Sequence, residues 1–277
     1  MQKPKIYVIV GPTASGKTAY SIKLAKKLGG EIISADSRQV YKCLNIGSGK
    51  VTKKEMAGIP HYLLNVANPK KVFTVSDFKK LADQKIKEII ARGKTPIIVG
   101  GTGFYIQAVV DDLVLPEVAP DKKLRSELKK LTVVKLFNML KKLDSTRAKT
   151  IDSHNPVRII RAIEIAKYLG AVPPLKVGTS QFKTYDFELI GIKIEQEKLN
   201  KKIYKRLIDR LKIGMVAEVK KIHQSGVSWK RLESLGLEYR YIAQFLQGKL
   251  SRSEMIEQLY QQIVKYSKRQ MTWFKKD

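Results

Sequence analysis

The sequence predicts an α/β fold, a parallel sheet with helices on its faces and a helical insertion in the middle of the chain. Three observations predict it. Short apolar, β-branched runs recur at 6–10, 31–34 and 96–99, with helical periodicity between them. Each run stops at a glycine-rich or polar loop: one opening at Gly11, one at Ala35-Asp36-Ser37, one at Gly100-Gly101-Thr102-Gly103. After Pro116 the chain turns lysine-rich and helical, then returns to a strand-like run at 187–192.

The elements follow in order. Ile6, Tyr7, Val8, Ile9 and Val10 form a buried parallel strand. Ala19, Ile22, Leu24, Ala25 and Leu28 recur at helical spacing after Lys17, and Gly29-Gly30 ends that helix. Residues 31–34 form a second strand that delivers Asp36 at its carboxyl end. Ser76 is expected to cap a helix running to about Ala91, closed by Arg92-Gly93. A third strand covers 96–99. Amphipathic helices are expected over 121–170 with a break near 152–156, and a loop over 171–185, which carries Pro173-Pro174. Beyond 192 the chain reads as helices split near 225–228 and at Gly248. The core is thus assigned to 1–118 and 186–277, and the insertion to 119–185. Ligands of such sheets sit beyond the carboxyl ends of the strands, where the three loops lie.

Composition bounds the function. Of 277 residues, 54 are Lys or Arg against 25 Asp or Glu, a net charge of +29. The excess points to a polyanionic partner, nucleic acid first, although a generally lysine-rich surface is the plainer account. A hydrophobic share of 43% supports a sizeable core and argues against disorder. The single cysteine, Cys43, excludes an intramolecular disulfide and a cysteine zinc cluster. No run has the length of a membrane span and the N-terminus has no signal-type apolar region, so a soluble chain in a reducing cytoplasm, without a membrane, is expected.

Residues 11–18, Gly11-Pro12-Thr13-Ala14-Ser15-Gly16-Lys17-Thr18, match the P-loop pattern between a strand and a helix. Glycines let backbone N–H groups curl around phosphate oxygens, and the helix N-terminus adds positive potential. Lys17 supplies a point charge, and the Thr18 hydroxyl can reach Mg²⁺. The pattern ordinarily serves phosphoryl transfer from a nucleoside triphosphate. Asp36 reads as a metal ligand, a general base or only a cap. Thr102 adds a hydroxyl at the same edge, or belongs to a simple turn. His61 reads as structural, since no second histidine stands near enough to pair on a metal. Lys265, Lys268, Arg269 and Lys275, with Tyr266, Trp273 and Phe274, suit either RNA tracking or packing of a last helix.

The ordered set GPTASGKT, ISADSRQVY, GIPHYLLN, IIVGGTGFYIQA and YSKRQMTWF resembles the tRNA dimethylallyltransferase family from Val8 to Phe274. The resemblance implies a P-loop kinase-like core with a helical insertion. It implies transfer of a dimethylallyl group from dimethylallyl diphosphate to N6 of adenosine 37, in the anticodon stem-loop of tRNA, with Mg²⁺ as cofactor and the protein a monomer. By position, the P-loop holds the diphosphate, Asp36 is the general base, Thr102 assists departure of diphosphate, and Arg206 neutralises it. Ser37, Arg38 and Gln39, with Asp36 and Thr102, match the stretch around the flipped adenine. Arg125, Arg158 and Arg161 match tRNA contacts in the insertion, although Arg158 and Arg161, one helical turn apart, also suit a solvated face.

Three departures fall on expected RNA contacts. Ile263-Val264 stands where Thr-Arg is frequent, Ile160 where glutamine is, and 236–240 is a loose version of a Gly-Tyr-Lys-Glu stretch. The sequence has no Cys/His zinc module of the kind some eukaryotic members carry, so a bacterial-type member is expected. Three rival readings stand beside this one. They are prenyl transfer to a free adenine nucleotide, a nucleotide or metabolite kinase, and a non-catalytic RNA-binding protein.

Overall fold

The structure, a computed structural model, describes residues 3–174, 176–177 and 184–274. It divides into two compact units, Met1–Asp112 with Thr179–Asp277, and Leu113–Gly178.

In the first unit, β1 (Lys5–Val10), β2 (Gly30–Ala35), β3 (His61–Tyr62), β4 (Thr95–Gly100) and β7 (Asp186–Gly191) make a parallel sheet in the order β3-β2-β4-β1-β7. In register, Val8 pairs with Ile98 and Leu189, and Ile33 with Ile98. Because β4 lies between β2 and β1, the loops after these strands are neighbours at one sheet edge. Strand β2 is buried along its whole length; Ile32 and Ile33 fill the core, while the two polar members are paired, Glu31 with Arg92 and Tyr62 and Ser34 with Gln39.

Helix Lys17–Leu28 covers one face of the sheet over Ile9, Ile32 and Ile97. Helices Val75–Ala91 and Gly103–Val110 cover the other, with Phe78 stacked on Tyr105 at 4.2 Å. The cap of Val75–Ala91 is Thr74, not Ser76. The Thr74 hydroxyl accepts the Asp77 N–H while the Asp77 carboxylate accepts the Thr74 N–H, a reciprocal box that Ser76 has no partner to make. Gly103–Val110 was not expected, being a short apolar helix directly after a loop. Among the described residues five helices follow β7: Gln196–Lys212, Met215–Gln224, Trp229–Ser234, Leu237–Leu246 and Arg252–Phe274. They share a core of their own with Val40, Tyr41 and Leu44. Among the described residues no helix is long and apolar enough to cross a membrane.

The second unit holds helices Lys122–Leu128, Val133–Leu143, Ser145–Thr150 and Pro156–Leu169 around Leu136, Leu140, Ile159 and Ile163. Asp121, Thr132, Asp144 and Asn155 cap them in turn, and Pro156 at the first helical position explains the break before it. The unit begins earlier and ends earlier than 119–185. Strand β5 (Leu113–Val114) pairs antiparallel with β6 (Lys176–Val177), joining the entering and leaving chain. The expected loop over 171–185 therefore contains a short strand at 176–177, while 175 and 178–183 lie outside the described residues.

Candidate active site

The P-loop is shaped by two glycines. Gly11 has φ +152°, and a Cβ there would stand 3.0 Å from the Ile192 carbonyl oxygen. Gly16, at φ +94°, is the N-cap of Lys17–Leu28 and brings no side chain to the first helical amides, which leaves them to an anion. The Lys17 ammonium donates to the Gly11 and Pro12 carbonyls at 2.8 and 2.7 Å. Burial pulls its pKa down to about 8; Asp36 opposes that pull and Arg206 adds to it. The Ser15 hydroxyl is buried with no hydrogen-bond partner among the described residues.

Two arginines from Gln196–Lys212 face this loop. Arg206 donates to the Thr13 hydroxyl at 3.5 Å, and burial followed by its neighbour Arg210 lowers it to about 10. Arg210, likewise lowered by burial, reaches the Gly47 carbonyl at 3.3 Å and Glu238 at 3.5 Å. Buried cations are costly unless paired. Among the described residues neither Lys17 nor Arg206 has a carboxylate in ion-pair contact, so the arrangement favours a polyanion. Arg210 was missed in the sequence, although its spacing of four from Arg206 on a helix was a usable signal.

Asp36 stands beyond β2. Its Oδ1 accepts the N–H groups of Arg38 and Gln39 at 2.8 and 3.2 Å. No helix starts here, because residues 37–40 form a turn, so Asp36 is not a helix cap; Oδ1 closes that turn, which orients the carboxylate, and Oδ2 accepts no hydrogen bond among the described residues. Thr102 ties the β2 and β4 loops together. Its Oγ1 accepts the Ser37 N–H at 3.0 Å and donates to the Ser37 hydroxyl at 3.3 Å, and its own N–H donates to the Ala35 carbonyl. Gln39 spans from the Ser34 hydroxyl to the Gly49 carbonyl, and Arg38 donates to the Ser234 carbonyl at 3.5 Å. Thr13, Lys17, Thr18, Asp36, Gln39 and Arg206 line one cleft of about 800 Å³. His61 also lines it, with Nδ1 bonded to the Ile59 carbonyl at 2.8 Å and its pKa lowered by burial. Among the described residues no cluster of His, Cys, Asp or Glu is built to hold a metal alone.

The insertion arginines are placed differently. Arg125 grips Glu164 with two bonds of 2.8 and 2.6 Å, and Arg161 bonds the same carboxylate and the Val118 carbonyl. Burial pushes the Glu164 carboxyl up, but the bonds from Arg125 and Arg161 outweigh it and hold the pKa below the ordinary value. Arg158 is exposed and its side chain is free of protein partners among the described residues.

The last helix packs on the core. Ser267 and Gln270 are buried, Tyr266 is half-buried with its phenol pushed up to about 12 by burial, and Lys265, Lys268 and Arg269 face outward. Lys275 and the Phe274 side chain lie outside the described residues.

The family model described as IPP transferase matches residues 39–277. The chain belongs to the IPP transferase family. A protein named tRNA dimethylallyltransferase 2 from Treponema denticola is 40% identical over 274 residues, spanning 97% of this chain and 91% of that one. A full-length tRNA isopentenylpyrophosphate transferase from Bacillus halodurans superposes with a TM-score of 0.74 at 36% identity, over 99% of this chain and 88% of the other. A eukaryotic dimethylallyltransferase solved acting on tRNA gives a TM-score of 0.80 at 28% identity, over 98% and 69%. The α/β fold with a P-loop kinase-like core and helical insertion, expected from the resemblance, is the fold of this IPP transferase chain. Two of its departures from the family pattern are packing positions. Ile160 is buried in the core of the insertion and Ile263 in that of the C-terminal helices.

Proposed function

We propose that this chain transfers a dimethylallyl group from dimethylallyl diphosphate to N6 of adenosine 37 in the anticodon stem-loop of tRNA. The observation that carries the reading is one cleft holding both an anion grip, Lys17 with Arg206, and an oriented carboxylate, Asp36. N6 attacks the first prenyl carbon, the carbon–oxygen bond to diphosphate breaks, and Asp36 takes the proton that N6 becomes willing to lose as the new bond forms. Negative charge grows on the departing diphosphate, where Lys17, Arg206 and the P-loop amides favour the transition state over the ground state. Thr102 places its hydroxyl between the two loops.

Mg²⁺ fits as a cofactor held jointly. The Thr18 side chain lines the cleft and makes no bond to protein among the described residues, and Mg²⁺ ordinarily takes few protein ligands besides phosphate oxygens and water. It would supply charge neutralisation on the diphosphate. The partner is tRNA, the enzyme acts as a monomer, and its place is the cytoplasm, where unmodified tRNA is found. Incubation with Mg²⁺, unmodified tRNA and labelled dimethylallyl diphosphate, followed by digestion, tests the reading. Label on N6 of adenosine 37 supports it; label in free AMP and none in tRNA overturns it.

A further inference from the structure

Gln270 lies on the terminal helix, far in sequence from both catalytic loops, yet touches both. The residue is 6% exposed. Oε1 accepts the Thr13 N–H of the P-loop at 2.8 Å, and Nε2 donates to the Gly101 carbonyl at 2.8 Å, one residue before Thr102. A primary amide offers an acceptor and a donor on one planar group, which a carboxylate, ammonium or thioether does not.

The glycines of the β4 loop are explained by the same contact. Neither Gly101 nor Gly103 has a positive φ. A Cβ on Gly101 would stand 2.3 Å from Gln270 Nε2, and one on Gly103 would stand 2.3 Å from Trp273 Cδ1. The Tyr266 hydroxyl reaches the Gly101 carbonyl at 3.5 Å. Tyr266, Gln270 and Trp273 follow helical spacing, so one stripe of the terminal helix lands on the loop, and glycine is required there for close approach rather than for backbone shape.

We propose that Gln270 is a positioning residue that holds the diphosphate loop and the Thr102 loop in register, making the terminal helix part of the catalytic frame. The inference rests on the prenyl-transfer reading for its kinetic consequence only. Misplacing catalytic groups by about 1 Å can cost on the order of 100-fold in rate. Gln270→Leu, which loses both bonds, should lower kcat by about 10- to 100-fold with the KM for tRNA unchanged. Gln270→Glu keeps the Thr13 bond but sets an oxygen against the Gly101 carbonyl and a negative charge beside the P-loop. It should weaken binding of inorganic diphosphate more than Gln270→Leu does. Gly101→Ala should lower kcat in the wild-type background and much less in a Gln270→Ala background, since the atom it displaces is then gone.

The test combines steady-state kinetics, calorimetric titration with inorganic diphosphate and thermal unfolding on the full chain. Unchanged kcat and diphosphate affinity in Gln270→Leu overturn the proposal, as does strict additivity of Gly101→Ala with Gln270→Ala. So does a loss of activity that only follows the melting temperature. If Gln270→Leu does not fold, the near-isosteric Gln270→Glu decides by the diphosphate titration. If the wild type itself prenylates no tRNA, the functional reading fails, and the same titration still judges Gln270.

Discussion

The P-loop cleft and the helical insertion both gather basic side chains, and they treat them in opposite ways. In the cleft Lys17 and Arg206 are buried without an ion-paired carboxylate, and burial lowers both pKa values. In the insertion Arg125 and Arg161 close on Glu164, itself 2% exposed. Basic charge that protein carboxylates leave uncompensated is charge reserved for a ligand; basic charge matched by a buried glutamate holds helices together. A count of +29 makes no such distinction.

The comparison breaks most sharply at Lys17. Lys17→Met should cost about 100- to 1000-fold in kcat, the scale of removing one donor to developing negative charge, with melting temperature held or raised. Single-turnover transfer and thermal unfolding measure the two sides. A large fall in stability would instead make Lys17 structural.

Glu164→Gln probes the other region. It leaves two guanidiniums, each about one-third exposed, facing a neutral amide, and should cost about 2–3 kcal/mol, below the 3–5 of a fully buried pair. Hydrogen exchange in Pro156–Leu169 and denaturant titration report the loss. Tighter tRNA binding at full stability would show that the arginines are held back from RNA rather than spent on the fold.

A third prediction sharpens the cleft. The Lys17 pKa is lowered from its ordinary value to about 8, so the free protein carries the charge below that pH and loses it above. Diphosphate affinity should be full below pH 8 and fall by up to about tenfold per unit above it. Lys17→Arg should remove this step in calorimetric titrations; persistence of the step would assign it to another group. The smallest effect is expected at Arg158, exposed and without a protein partner. Arg158→Ala should weaken tRNA binding severalfold and reduce the salt slope by about one, with no change in stability. No change in the slope would mean that this face is merely solvated.

The sequence made the strands, the P-loop and the strand-end residues legible because their physics is local. Buried parallel strands are runs of Ile and Val, and the glycines of 11–18 mark backbone shape. The carboxyl-edge rule brings Asp36 and Thr102 into view from the sequence alone. What it could not supply was order. That β4 lies between β1 and β2, placing Thr102 against Ser37, is a property of the sheet. Gln270 was beyond reach for the same reason, since its partners Thr13 and Gly101 lie far away in sequence. Strands of two residues, such as β3, β5 and β6, are too short for periodicity to register. The role of Thr74 was readable from the Thr-x-x-Asp spacing, which outweighs a nearby serine with no such partner. Arg161 and Glu164, three apart on a helix, carried a local hint of pairing, whereas Arg125 carried none.

The central claim is that Asp36 acts as the base in a cleft whose cations hold the leaving group. Asp36→Ala, assayed for prenyl transfer and for tRNA affinity on the same preparation, tests it most directly. Loss of a general base predicts a fall of about 100- to 10,000-fold in transfer with tRNA affinity nearly unchanged. Equal loss of both would contradict the account, because Asp36 would then serve to hold the turn of Arg38 and Gln39 rather than to receive a proton.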